Sequence, residues 1–224
     1  MDAPDLSVVL PTIDEAPNLR LLFPRLRRTL SKLGVSSEIL VIDEGSTDGT
    51  PEIAREEGAV VVAQSEPGFG RAIRLGIEKA RGRHIMTMDA DGSHPPEALE
   101  DLWKAREGFD LVIGSRYIHG GSVETSPLRH LLSRVLHLFD AAALGLPVAD
   151  GSSGLRLYRA AAVKALVLRC RNAAIQEEII VKLLKNGGRL REVPFHYAPR
   201  AAGKSKVRIL DSLASYLRML ARRG

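Results

Sequence analysis

An α/β fold, with a mainly parallel sheet flanked by helices, is what this chain predicts, and three observations carry that reading. Short apolar runs alternate with helix-period segments through the first 115 residues. Polar or acidic clusters recur where those apolar runs end. Aromatic residues make up only 4% of a chain that is 45% hydrophobic, which argues for packed aliphatic layers and against a β-sandwich. Alternating strands and helices imply right-handed crossovers and parallel pairing.

The elements follow in order. Leu6 to Leu10 is an apolar run stopped by Pro11, and Asn18 to Leu33 repeats Leu19, Leu22, Leu26, Leu30 and Leu33 on one helical face. Glu38 to Ile42 reads as the second strand, and Thr50 to Glu57 as a short helix opened by Pro51. Ala59 to Ala63, then Gly70 to Ala80, give a third strand and its helix, with Arg81-Gly82 as the stop. Ile85 to Met88 is the fourth strand, Pro96 to Arg106 a helix, and Leu111 to Gly114 the fifth strand. Beyond it, Pro127 to Leu144 predicts a long helix with a broad apolar face around Leu128, Leu132, Leu136 and Phe139. Ala160 to Leu168 and Glu177 to Lys185 predict helices, Arg189 to His196 a strand, and Leu210 to Leu220 a terminal amphipathic helix. Both amphipathic faces read as packing surfaces, or alternatively as contacts with a membrane surface or partner helix. The expected organisation is one domain over 1–206, with a nucleotide-binding half (1–115) and an acceptor half (116–206), followed by a helix over 207–224.

Composition narrows the partners. A net charge of +5 over 224 residues suits an anionic partner, but Lys and Arg are spread along the chain without a basic block, which argues against nucleic acid. The single cysteine, Cys170, excludes an internal disulfide and fits a reducing compartment. The acidic start, Met1-Asp2-Ala3-Pro4-Asp5, is unlike a signal peptide, and no run of eighteen apolar residues is present to span a bilayer. The expected location is therefore cytoplasmic.

Chemistry gathers at three strand ends: Pro11-Thr12-Ile13-Asp14-Glu15, Asp43-Glu44-Gly45-Ser46-Thr47-Asp48-Gly49-Thr50, and Asp89-Ala90-Asp91. Each alone reads equally as a solvated turn or helix cap. In an open α/β sheet, however, carboxyl ends of strands line one crevice, so the three clusters converge there. Two carboxylates spaced Asp-x-Asp after a buried strand suit Mg²⁺ or Mn²⁺, which also takes diphosphate oxygens. Carboxylates beside a nucleotide's sugar would accept hydrogen bonds from ribose or base.

An ordered series of motifs resembles the family 2 glycosyltransferases of GT-A fold, in particular the dolichyl- or polyprenyl-phosphate mannosyltransferases. The series is Leu10-Pro11-Thr12-x-x-Glu15, Asp43-x-Gly45-Ser46-x-Asp48-Gly49-Thr50, Gly68-x-Gly70-x-Ala72, Met88-Asp89-Ala90-Asp91 with His94-Pro95-Pro96-Glu97, and Gly114-Ser115-Arg116-Tyr117. It continues with Arg129, Ser133-Arg134, Ser153-Gly154-x-Arg156, Gln176-x-Glu178, Glu192-Val193-Pro194 and Arg200-x-x-Gly203-x-Ser205-Lys206. The resemblance implies an inverting transfer of a hexose, mannose from GDP-mannose, to a polyprenyl phosphate. It implies that Pro11, Ile13, Glu15, Asp43 and Glu44 hold base and ribose, and that Asp89, Ala90 and Asp91 meet the metal and diphosphate. Arg116, Arg129 and Ser133 would hold the acceptor phosphate. Arg200 and Lys206 on the donor side, with Lys204 and Ser205 on the acceptor side, would close over the site.

Three departures stand out against the family pattern. Ile13 replaces an aromatic that would stack on the base, Glu44 replaces an Asp, and Gly92-Ser93 replaces a Leu-Gln whose Gln can ligate the metal. Ser93 is thus expected either to take over a ligand position or to leave the ion more hydrated. Among catalytic candidates, Asp91 and Arg116 are joined by Glu178, expected to orient an arginine or the sugar, or else to be a helix-surface charge. Other readings remain. A transferase acting on a sugar hydroxyl from a UDP-sugar would need a carboxylate base, with Asp150 or Glu178 as candidates. A non-catalytic membrane-associated subunit would keep the apolar faces alone. A separate membrane subunit is an equal alternative to direct, peripheral contact with the cytoplasmic face of a membrane.

Overall fold

The computed structural model describes residues 3–124 and 145–200. Seven strands form one sheet in the order β3-β2-β1-β4-β7-β5-β8, and β6 and β9 form a parallel two-residue pair. In chain order the elements are β1 (Leu6–Thr12), α1 (Ala16–Leu33), β2 (Ser37–Asp43), α2 (Thr50–Glu56), β3 (Val60–Ala63), α3 (Phe69–Lys79) and β4 (His84–Thr87). A 3₁₀ turn (Pro96–Ala98) leads into α4 (Leu99–Lys104), then β5 (Leu111–Ser115), β6 (Ser122–Val123) and β7 (Arg156–Arg159). The chain continues with α5 (Ala160–Lys164), α6 (Ile175–Lys185), β8 (Leu190–Pro194) and β9 (His196–Tyr197).

The sheet is covered on both faces, so its strands are apolar on both sides. Leu6, Val8 and Leu10 of β1 pack with Leu19, Phe23 and Leu26 of α1 and with Leu99 and Leu102 of α4. Val9, one residue out of phase, faces Ile73 and Ile77 of α3 in the second cluster, with Val163 of α5 and Ile175, Ile179 and Leu183 of α6. The period of two along one strand thus feeds two separate cores.

The alternating first half is as expected. In the seven-stranded sheet, β7 is the strand that the sequence reading missed, as it also missed the short β6. β7 runs antiparallel to both β4 and β5, with Arg156 opposite Thr87 and Ile113. Because it runs backwards, its entry loop lies at the same edge as the carboxyl ends of β1, β2 and β4. The expected 189–196 strand is divided, since β8 pairs with β5 whereas β9 crosses to β6 after Phe195 donates its N–H to Ser115 O. The expected 160–168 helix stops at Lys164. Beyond it, Glu178 accepts the N–H groups of Arg169 and Cys170 and so holds the loop that leads to α6. No helix among the described residues is long and apolar enough to cross a membrane. The expected helices over 127–144 and 207–224 lie outside the described residues.

Close packing of α3 on β1 depends on Gly76. A Cβ there would meet Val9 Cγ1 at 2.2 Å, and Val9 is a fully buried, β-branched side chain with little freedom to give way. Gly76→Ala should therefore lower stability by about 1–3 kcal/mol, the usual cost of overpacking. Urea denaturation monitored by circular dichroism measures this, and a midpoint matching wild type would show that the contact is relieved at no cost.

Candidate active site

Two βα turns are locked together at the carboxyl edge. Asp43 accepts the N–H groups of Gly45 (3.1 Å) and Ser46 (3.0 Å) on Oδ2 and the Ser46 hydroxyl (2.5 Å) on Oδ1. Asp48 accepts from Ala16 N–H at 2.9 Å and from the Thr50 hydroxyl at 2.6 Å, while Glu15 N–H donates to Thr50 Oγ1. Burial works against ionising Asp48, but these donors outweigh it and hold its pKa below the ordinary range. Asp14, the one non-glycine residue with positive φ (49°) among the described residues, accepts Thr47 N–H at 2.9 Å. That bond offsets the strain of a left-handed backbone. Pro11 and Ile13 sit half-buried on the same edge.

Glu44 is occupied differently from its expected role beside Asp43. Its Oε2 accepts Gly68 N–H at 2.9 Å and so holds the loop that precedes α3. Gly68 has φ of 130°, and a Cβ there would lie 2.5 Å from Arg171 O. The extra methylene of Glu relative to Asp gives this reach across the crevice.

After β4 the chain turns through Asp89-Ala90-Asp91. Asp91 is 5% exposed, and its Oδ1 accepts both the N–H (2.9 Å) and the hydroxyl (2.5 Å) of Ser93. Ser93 therefore aims its proton at Asp91 and orients that carboxylate. Asp89 opens onto the crevice, with its side chain 34% exposed, yet burial raises its pKa and the Asp91 carboxylate adds to the effect. Its N–H donates to His94 Nδ1 at 2.8 Å. Burial lowers the His94 pKa, and an accepting Nδ1 places the ring proton on Nε2, 3.8 Å from Asp89 Oδ2. The ring meets Phe195 and Tyr197 edge-on, at 5.6 and 5.7 Å between centroids. A Cβ on Gly154 would come within 3.3 Å of both Asp89 Oδ1 and His94 Cε1, so the loop entering β7 closes directly on this turn.

Two arginines reach the same edge, each already matched by carboxylates. Arg116 donates through Nε and Nη2 to the two oxygens of Asp150, both at 2.7 Å, and through Nη2 to Ser152 Oγ at 2.9 Å. Asp150 is fully buried, and its own N–H donates to Glu192. Despite burial, the pair holds the Arg116 pKa above its ordinary value. Arg200 donates to Glu15 Oε1 at 3.0 Å and meets Asp91 Oδ2 at 2.9 Å. Burial raises the Glu15 pKa, with Asn18 and Arg200 opposing.

The remaining expected residues divide clearly. Arg129, Ser133, Lys204, Ser205 and Lys206 lie outside the described residues. Glu178 accepts Arg169 N–H (2.9 Å), Cys170 N–H (2.7 Å) and Lys182 Nζ (2.6 Å), so it organises a loop backbone and touches no arginine guanidinium in these contacts. Asp150 was weighed only as a base, whereas here it holds Arg116. His94 and Arg156 lay within matched motifs but had been given no role. A buried arginine two residues after Ser153-Gly154 was the one signal that this loop is held from beneath.

The donor set fits a substrate-bridging divalent ion. Asp89 and Asp91 supply hard oxygens, and the cation already drawn to Asp91 shows that the turn favours positive charge. No group of three His, Cys, Asp or Glu among the described residues could hold a metal by itself. An ion here would complete its shell with diphosphate oxygens and water.

The model of glycosyl transferase family 2 matches residues 7–167. The chain belongs to that family. Among its relatives, dolichol-phosphate mannosyltransferase of Pyrococcus furiosus is 35% identical over 97% of this chain and 63% of its own length. Polyprenol monophosphomannose synthase of Mycolicibacterium smegmatis is 34% identical, over 89% of this chain and 80% of its own. This chain thus spans just under two thirds of the Pyrococcus relative. In fold it is similar to glucosyl-3-phosphoglycerate synthase of Mycobacterium tuberculosis, with a TM-score of 0.70 at 22% identity, covering 97% of this chain and 77% of that one.

Within this family member, the Glu178 contacts generate a pH-dependent expectation. Burial raises its pKa, but Lys182 and the two N–H groups outweigh that and leave it lowered. A depressed carboxylate stabilises the fold above its unfolded pKa, and the contribution is lost as pH falls through the folded value. Glu178→Gln should cost about 2 kcal/mol at pH 7, and its deficit should shrink steadily below about pH 4.5. Denaturant midpoints across pH measure this, and a constant deficit at every pH would overturn the assignment.

Proposed function

We propose that the protein transfers mannose, with inversion, from GDP-mannose to the phosphate of a polyprenyl lipid. Its family and the names of its relatives support the reaction class. One observation favours a phosphate acceptor over a sugar hydroxyl. The carboxylates that might serve as a base are committed elsewhere: Asp150 to Arg116, and Glu178 to backbone N–H groups and Lys182. A hydroxyl acceptor needs a base, whereas a phosphate monoester with a second pKa of about 6 is largely dianionic at pH 7 and attacks without one.

In this reading the chain's residues position two anions and stabilise charge. Asp89 and Asp91 would hold Mg²⁺ or Mn²⁺, which when bound neutralises charge on the departing diphosphate. Glu15, with Pro11, Ile13 and Asp43, lines the base and ribose end, and Ala90 passes beside the diphosphate. Arg116 is held along its Nε–Nη2 edge by Asp150 and Ser152, and its Nη1, unbonded among the described residues, would meet the acceptor phosphate. Arg129, Ser133, Lys204, Ser205 and Lys206 complete the phosphate-binding set by family resemblance. The lipid would be met peripherally at the cytoplasmic face, either directly or through a separate membrane subunit.

Radiolabelled GDP-mannose, a polyprenyl phosphate and Mn²⁺ should yield label that partitions into organic solvent. Asp91→Asn should lower that rate by ~10²-fold or more, the scale for losing a main electrostatic stabiliser. Transfer to sugar hydroxyls, with none to lipid phosphate from any nucleotide-sugar donor, would overturn the reading.

A further inference from the structure

Among the described residues, Asp91 is the carboxylate of the Asp-x-Asp turn that pairs with an arginine or lysine. Arg200 Nη1 stands 3.0 Å from Glu15 Oε1 and its Nη2 2.9 Å from Asp91 Oδ2, so one guanidinium bridges the first and fourth βα turns. The other oxygens are committed as well, since Asn18 Nδ2 donates to Glu15 Oε2 and Ser93 donates twice to Asp91 Oδ1. The Glu15 and Asp91 side chains are 9% and 7% exposed, whereas that of Arg200 is 25% exposed. The acids are fixed, and the cation is the more accessible member.

We propose that Arg200 is the resting counter-cation of the donor site, and that it must leave Asp91 before a divalent ion can bind there. This rests on the reading of Asp89 and Asp91 as the metal–diphosphate seat. A guanidinium 2.9 Å from Oδ2 and an ion on the same oxygen, at about 2.1 Å, would be like charges only a few ångströms apart in a partly buried crevice. They exclude one another. The nucleotide diphosphate resolves the conflict, because it brings oxygens that the arginine fork binds in place of the carboxylates. Metal and nucleotide therefore bind with positive coupling, and Arg200 carries much of it. The main chain need not move far for this exchange. Ala198 N–H donates to Ser93 O at 3.1 Å, and the Tyr197 and His94 rings pack edge-on, so the backbone beside Arg200 stays tied to the metal turn while the side chain swings.

Electron paramagnetic resonance of Mn²⁺ titrations, with and without GDP, tests this without any turnover. Arg200→Ala should tighten nucleotide-free Mn²⁺ binding by at least about tenfold, a lower bound set by the repulsion of a divalent ion and a guanidinium at this range even in bulk water. It should also reduce the factor by which GDP improves that binding. Arg200→Lys, which keeps the charge but loses the fork, should fall between Ala and wild type. Circular dichroism confirms that each variant is folded. The exchange is overturned if both variants bind Mn²⁺ alone as wild type does while Asp89→Asn abolishes binding. If Asp89→Asn binds Mn²⁺ like wild type, the metal-seat reading itself fails, and the exchange with it.

Discussion

A fully buried arginine under the entry to β7 holds the two halves of the site together. Arg156 has no exposed surface, and its guanidinium donates to Ser153 O (2.7 Å), Gln176 O (2.7 Å) and Gly151 O (2.5 Å). Carbonyls buried without such donors would cost about 1–3 kcal/mol each, so a charged group at the sheet's centre is tolerated because it satisfies the loop above it. That loop then does three things. Gly154 presses on Asp89 and His94, the Gly154 carbonyl accepts the Thr87 hydroxyl from β4, and Asp150 takes Arg116. The Asp89–Asp91 turn and Arg116 therefore share one support, although they belong to different strands.

The same loop explains why the second half was harder to read. Each early βα unit repeats one pattern, an apolar run followed by a polar turn and a helix-period stripe, and every unit reports its own position. β7 breaks that pattern. Four residues, Arg156 to Arg159, with charge at both ends, carry no apolar run, and the arginine is acceptable only because of carbonyls that sequence does not place beside it. The loop after α5 is equally non-local, since Glu178 lies nine residues after the Arg169 N–H that it captures. Residue types at the site were legible from chemistry: acids after strands, arginines beyond them. Their partners were not. Glu15 and Arg200 are 185 residues apart, Arg116 and Asp150 are 34 apart, and no local periodicity encodes either pair. Glu44 shows the limit most clearly, for nothing in the sequence pairs its longer carboxylate with the Gly68 N–H that it accepts 24 residues away.

Among the described residues, the charged groups of the crevice form matched pairs and no open basic pocket. Arg116 faces Asp150, and Arg200 faces Glu15 and Asp91. Leaving any one of these buried charges without its partner costs more than the pair contributes, which keeps the site assembled before ligands arrive. On the proposed reading, a site that takes a diphosphate and a phosphate would work by exchanging partners, with fixed carboxylates and a more exposed guanidinium. The two arginines are not equivalent in this respect. Arg116 is clamped along a full edge by a carboxylate with no exposure, and Ser152 adds a third bond. Arg200 reaches its two acids through single contacts at the rim.

The turn after β4 shows how a small change in side chain shifts work from protein to ligand. Gly92 takes a left-handed backbone, with φ of 85°, and this lets Ser93 bring both its N–H and its hydroxyl onto one oxygen of Asp91. A longer amide at that position would reach past the carboxylate, whereas a serine hydroxyl ends at it. Asp91 is consequently oriented by Ser93, and an ion held there would draw much of its coordination from the diphosphate and from water. Mg²⁺ and Mn²⁺ accept such a shell readily, because they bind through one or two carboxylates when substrate phosphates supply the rest. An ion held in this way is weak without its nucleotide, and the resting site is left for a cation that the protein carries itself.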